Sequence, residues 1–115
     1  MRILIVGSRE YSEPENVRKF VSRLPADTVV LTRCYSCAEK VAARTAESLG
    51  MQVVVMKNTR MDNTSRKYRD IALLAGTSRA IVFCDSASSF DDPIVNLAAQ
   101  QHVTLLRIGP DGHLF

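Results

Sequence analysis

The sequence predicts an α/β domain in which a five-stranded, mostly parallel sheet is covered by helices on both faces. Three observations carry this. Apolar runs of strand length, Arg2 to Val6 first among them, are continuous rather than alternating, which is the pattern of strands buried on both faces. The segments between them place apolar residues at helical spacing. Strand alternates with helix along the chain through short connections, an arrangement that calls for parallel pairing.

The elements follow in order. Ile3-Leu4-Ile5-Val6 forms the first strand, bounded by Gly7. Ser12 with Glu15 three residues on fits a capping box, and Pro14 suits a first helical turn. Val17, Phe20, Val21 and Leu24 then mark the inward face of a helix that Pro25 closes. Thr28 to Thr32, β-branched and apolar, is the second strand. Ala38 to Leu49 is a second helix with Val41, Ala42, Thr45, Ala46 and Leu49 on one face and Gly50 as its C-terminal stop. Val53 to Met56 is the third strand. A polar stretch, Lys57 to Lys67, leads to a helix from about Ser65 to Ala75 that is expected to turn Tyr68, Ile71, Ala72 and Ala75 inward. Ala80 to Cys84 is the fourth strand. After a Ser- and Asp-rich loop, Asp92 and Pro93 open a short helix that carries Ile94, Leu97 and Ala98 to the core. Val103 to Ile108 is the fifth strand, and Gly109 to Gly112 is turn chemistry before a tail, His113-Leu114-Phe115, that is either frayed or packed on a neighbour.

A chain of 115 residues fits one domain, 1–115, with one sheet and a helical layer on each side. No apolar run approaches the roughly 18 residues of a membrane span, so no membrane partner is expected. Met1 leads straight into the first strand without a signal peptide, and the expectation is a cytoplasmic protein. A net charge of +3 is modest for a nucleic-acid binder. The basic cluster Lys57, Arg60, Arg66, Lys67 and Arg69 has little aromatic interleaving, which argues against nucleic acid and for a solvated face or a nucleotide crevice.

Five strands joined by right-handed crossovers most simply take the order 3-2-1-4-5, a three-layer Rossmann-like sheet. Ligands of such sheets bind outside the carboxyl ends of the strands, where the order reverses between strands one and four. Gly7, Ser8, Arg9 and Tyr11 follow strand one, and Asp85, Ser86 and Ser88 follow strand four. Arg33 and Ser36 follow strand two, just before a helix N-terminus whose free N–H groups favour an anion.

These short motifs, with the Ala-rich second helix ending Leu49-Gly50 and Arg66 to Asp70 ahead of strand four, resemble the SLOG superfamily. This Rossmann-like group includes the Lonely Guy phosphoribohydrolases and the DNA-processing protein A family, and the resemblance is closest to its small stand-alone YspA-type members. It covers nearly the whole chain. It implies binding of a nucleotide or nucleotide-derived small molecule, with Arg9, Glu39, Arg69 and Asp85 carried over as site residues. The chain departs from the pattern where it matters for catalysis. Arg33 to Glu39 keeps the acidic position of the family's glycine-rich turn but none of its glycines, and Asp85 to Asp92 stands where the enzymes have a second glycine-rich signature.

Each candidate has two readings. Arg9 either holds a phosphate through bidentate hydrogen bonds or pairs with a surface carboxylate. Asp85 either binds a ribose hydroxyl or caps its loop. Glu39 lies in a first helical turn, where a carboxylate is favourable without any ligand. Tyr11 and Tyr35 either stack on a base or pack on their own loops. Cys34-Tyr35-Ser36-Cys37 has the spacing of a redox pair, but the chain has no proline between Pro25 and Pro93 to face it in thioredoxin fashion. His102 and His113 lack the spacing that would complete a zinc site, so neither metal nor cofactor is called for.

The expectation is ligand binding, with sensing as its use. The alternatives are hydrolysis of the N-glycosidic bond of a nucleoside monophosphate, with Glu39 or Asp85 as the catalytic carboxylate, and a protein interaction module without a ligand. Ala-rich helical faces and the apolar C-terminus add the expectation of a homo-oligomer, a dimer or higher.

Overall fold

The computed structural model describes residues 1–57, 62–86 and 90–115. In chain order the elements are β1 (Arg2–Gly7), α1 (Pro14–Ser22), β2 (Val29–Thr32), α2 (Cys37–Ser48), β3 (Gln52–Val55), α3 (Asn63–Ala75), β4 (Arg79–Phe83), α4 (Pro93–Gln100) and β5 (Leu105–Ile108). The strands form one parallel sheet in the order β3-β2-β1-β4-β5, as the alternation of strand and helix predicts. Among the described residues, no helix is long and apolar enough to cross a membrane.

Both faces of the sheet are buried, which is why the strands read as continuous apolar runs. Ile3, Ile5, Ile81, Phe83 and Ile108 meet Val17 and Val21 of α1 and Ala38, Ala42 and Ala46 of α2. Leu4, Val6 and Val82 turn the other way, onto Leu73 and Leu74 of α3 and Ile94, Leu97 and Ala98 of α4. The alanines of α2 let that helix lie close on the sheet. Gly7 does the same from the strand side, since a Cβ there would stand 2.7 Å from the Ala38 Cβ and 3.1 Å from the Phe83 carbonyl oxygen.

Three local expectations are corrected. Ser12 does not cap α1: the cap is Glu13 without a side-chain bond, because Ser12 spends its N–H and hydroxyl on Asp85 across the crevice. Leu49 lies past the last turn of α2 and is exposed, while Ala43 is buried in its place. Helix α3 turns Asp70, Leu73 and Leu74 inward, and Tyr68 is 70% exposed. The leucines fill more core volume than alanine, and Asp70 is admitted because Arg69 pairs with it. Of the two fates open to the C-terminal tail, fraying or packing on a neighbour, the structure shows the second. Leu114 bridges Ile108 in antiparallel fashion and the Phe115 N–H donates to the Arg107 carbonyl, so the tail covers the open edge of β5.

Candidate functional site

Two cavities open side by side at the carboxyl ends of β1, β2 and β4. The larger, about 500 Å³, lies between Arg66, Lys67, Arg69 and Asp70 of α3 and the start of α4, with Arg33, Tyr35, Asp91, Asp92, Pro93, Asn96 and Leu97 completing its wall. The smaller, about 340 Å³, is lined by Gly7, Ser8, Arg9 and Glu10 after β1, and by Phe90, Asp91, Asp92 and Tyr35. Tyr35, Asp91 and Asp92 border both.

The partition between them is built from the end of β2. Strand geometry stops at Thr32, Cys34 takes a left-handed turn (φ 54°), and Ser36 caps α2. Ser36 and Glu39 form a closed pair: the Glu39 N–H donates to the Ser36 Oγ at 3.3 Å, and that hydroxyl donates to Glu39 Oε2 at 2.9 Å. Arg33 binds the same carboxylate in fork geometry, Nε to Oε1 and Nη2 to Oε2, both at 3.0 Å. Its Nη1 reaches across to Asp92 Oδ2 at 3.0 Å. Asp92 uses its other oxygen to accept the Ile94 N–H at 3.0 Å and so caps α4. Since β1 lies between β2 and β4, this chain of ion pairs arches over the end of the central strand.

The electrostatics explain how so much charge is buried. Burial works to lower the Arg33 pKa, but the hydrogen bonds to Glu39 and the charges of Glu39 and Asp92 outweigh it, and the guanidinium is held above its ordinary range. Burial pushes the Asp70 carboxyl up, opposed by the hydrogen bond from Arg69 Nε at 3.0 Å. Burial likewise raises the Cys34 thiol, with Lys57 pulling the other way, which works against a reactive thiolate in the Cys34-x-x-Cys37 pair.

Tyr35 is the one aromatic side chain common to both cavities, and it sits among cations. The Arg9 guanidinium lies over its ring, 4.7 Å from the centroid, and donates to its hydroxyl. Arg33 stands 5.4 Å from the same centroid. Arg9 at the exposed rim and the buried Arg33 thus both stand against the Tyr35 ring.

The residues singled out from the sequence divide accordingly. Gly7, Ser8 and Arg9 line the smaller cavity, and Arg33 and Arg69 the larger. Gly7 serves the packing of α2, and the Ser8 N–H donates to the Phe83 carbonyl at 2.9 Å. Tyr11, expected at the crevice, is instead in the core: its hydroxyl donates to the Gly109 carbonyl at 2.7 Å and its ring packs edge-on against Phe83. Ser36 is buried in the cap of α2 and Glu39 in the ion pair. Asp85 caps the loop after β1, accepting the Ser12 N–H at 3.0 Å and its hydroxyl at 2.8 Å, and Ser86 follows it at the surface; neither borders the two cavities. Ser88 lies outside the described residues, as does Arg60 of the basic cluster.

Asp91, Asp92 and Asn96 border the site without having been singled out as ligand contacts. Asp92 is legible as a helix cap, but its second oxygen acts on Arg33, 59 residues away, and local sequence carries no mark of that. Comparison with known protein families, with curated proteins and with solved structures finds no match.

Proposed function

We propose that the chain binds a nucleotide or nucleotide-derived small molecule in the paired cavities at the carboxyl edge of its sheet, and that it senses this ligand rather than transforming it. The observation that carries the reading is the placement of the larger cavity. It lies at the end of the sheet where open α/β domains take ligands, with Arg66, Lys67 and Arg69 on one wall and Asp91 and Asp92 on the other. Such opposed walls suit a molecule with phosphate at one end and hydroxyl or base donors at the other. The SLOG resemblance points the same way.

Hydrolysis is the weaker reading because its carboxylates are occupied. Both oxygens of Glu39 accept hydrogen bonds from Arg33, and Asp85 is held by Ser12. Native mass spectrometry of the purified protein, followed by calorimetric titration with nucleoside mono- and diphosphates, tests the proposal. Retained or titratable nucleotide supports it, and a panel without binding at millimolar concentration overturns it. Arg9→Ala, at the rim of the smaller cavity, removes a charge-assisted contact worth about 1.5–3 kcal/mol, so affinity falls roughly tenfold or more while the melting temperature stays nearly constant.

A further inference from the structure

The face of the sheet that carries α1 and α2 holds a third cavity, of about 480 Å³, which shares no lining residue with the two at the carboxyl ends. Ile3, Ile81, Leu106 and Ile108 form its floor, Phe20 and Leu24 of α1 one wall, and the tail from Gly112 to Leu114 the other. It opens there because α2 lies over β1, β2 and β3, which leaves α1 and the tail to cover β4 and β5. Val17 and Val21 of α1 are fully buried, whereas Phe20, Leu24 and Leu106, which border the cavity, pack on the core but are only partly buried. A small apolar body seated here would complete their burial.

Arg79 gives this cavity its charge. It opens β4 opposite Ile3 and shares a face of the strand with Ile81, so its side chain lies on the same side as the apolar floor. Among the lining side chains it is the one permanent charge, and no carboxylate is among them. Arg2, on the neighbouring strand, donates to the Gly76 carbonyl, but Arg79 has neither an ion pair nor a side-chain hydrogen bond among the described residues. A smaller cavity of about 250 Å³ adjoins, sharing Phe20, Ile108, Gly112 and His113. It adds Lys19 and Arg23, which also lack ion partners among the described residues, against the single carboxylate of Asp111. Lys19 and Arg23 stand one turn apart on α1, a like-charge spacing that costs stability unless an anion lies near.

We propose that this cavity is a second ligand site, for a small amphipathic carboxylate whose aliphatic or aromatic body lies on the apolar floor and whose head takes the guanidinium of Arg79 in fork geometry. The cavity has the size and make-up of a small-molecule site, mostly apolar with one placed charge. That single permanent cation matches a singly charged carboxylate better than a dianionic phosphate. Lys19 and Arg23 in the adjoining cavity add a positive field that favours an anion over a cation of the same shape. Because the site is separate from the carboxyl-edge cavities, it stands whether or not a nucleotide binds there.

Amide chemical-shift titration of the isotope-labelled protein at neutral pH, with decanoate and with decylammonium as its cationic counterpart, tests this. Decanoate should give saturable shifts at Phe20, Ile81, Leu106 and His113 while the Arg9 and Arg33 amides stay still. Its affinity should exceed that of decylammonium at least tenfold, the range of one charge-assisted contact. Arg79→Met keeps an apolar stem at an exposed position, so the melting temperature should hold while decanoate affinity falls at least tenfold and the preference over decylammonium shrinks. Absence of saturable shifts at millimolar decanoate overturns the proposal. So do shifts confined to the carboxyl edge, equal affinity for the two probes, or an Arg79→Met variant that binds decanoate as the parent does. Nucleotide titration of the same variant keeps the two sites separate, since the nucleotide reading expects its affinity to be unchanged.

Discussion

Arg33 and Glu39 show how a single residue pair can change meaning between sequence and structure. As letters they read as a phosphate contact and a catalytic acid; in the fold each is the other's partner, 1% and 0% exposed. A pair of this kind is costly to break because the remaining charge stays buried. Glu39→Gln keeps the shape and removes the charge, and is expected to destabilise the domain by about 3–5 kcal/mol, read as a lower midpoint of urea unfolding. An unchanged midpoint would show that Glu39 is free for other work. Asp70 makes the opposite case. Burial raises its folded pKa above the unfolded value, so between the two the native state holds more protons and stability contributed by this group falls as pH rises. Asp70→Asn removes that dependence while leaving an oxygen for the Arg69 Nε. The melting temperature of the natural protein should therefore fall relative to the variant as pH climbs from below the ordinary carboxylate range to neutrality. A constant difference between the two proteins would contradict the assignment.

The elements themselves were legible because their signals are local. Continuous apolar runs gave the five strands, Asp92-Pro93 gave the start of α4, and Gly50 at φ 76° marks the end of α2 as its position after Leu49 suggests. What failed depended on distant partners. Either face of α3 offers apolar residues at helical spacing, and the choice between them rests on which one the sheet can fill. Ser12 has the chemistry of a cap, yet Asp85 reaches it from 73 residues away. The tail after β5 is set by a similar long-range contact. Tyr11 donates to the Gly109 carbonyl, and Asn16 Nδ2 donates to the Tyr11 hydroxyl at 3.2 Å and to the Pro110 carbonyl at 2.8 Å, so the turn is tied to the first helix. Tyr11→Phe should cost about 1–3 kcal/mol, because a buried carbonyl loses its donor. Amide exchange should rise at Gly109 and Phe115 before it rises in β1, and uniform exchange behaviour would argue against a separately tethered tail.

At the scale of the whole molecule, the fold puts its donors and carboxylates where they hold the crevice together, and this bears on whether any reaction occurs there. Cleavage of a nucleoside monophosphate requires fixed donors for the phosphate and a free carboxylate near the anomeric carbon as positive charge develops. Neither Arg33 to Glu39 nor Asp85 to Asp92 contains a glycine that would let backbone N–H groups close on a phosphate. The side chains after β2 that could replace them are engaged: Arg33 spans Glu39 and Asp92, and Ser36 closes the cap of α2. Misplacement of a catalytic group by about 1 Å can cost on the order of a hundredfold in rate. Incubation with purine and pyrimidine nucleoside monophosphates should therefore release free base at well under about 1 per second, below the usual enzyme range, even at concentrations that saturate binding. Chromatography of the free base measures it. Turnover faster than that would mean that the Arg33–Glu39 pair opens when ligand enters, and would return Glu39 to the catalytic role its position first suggested.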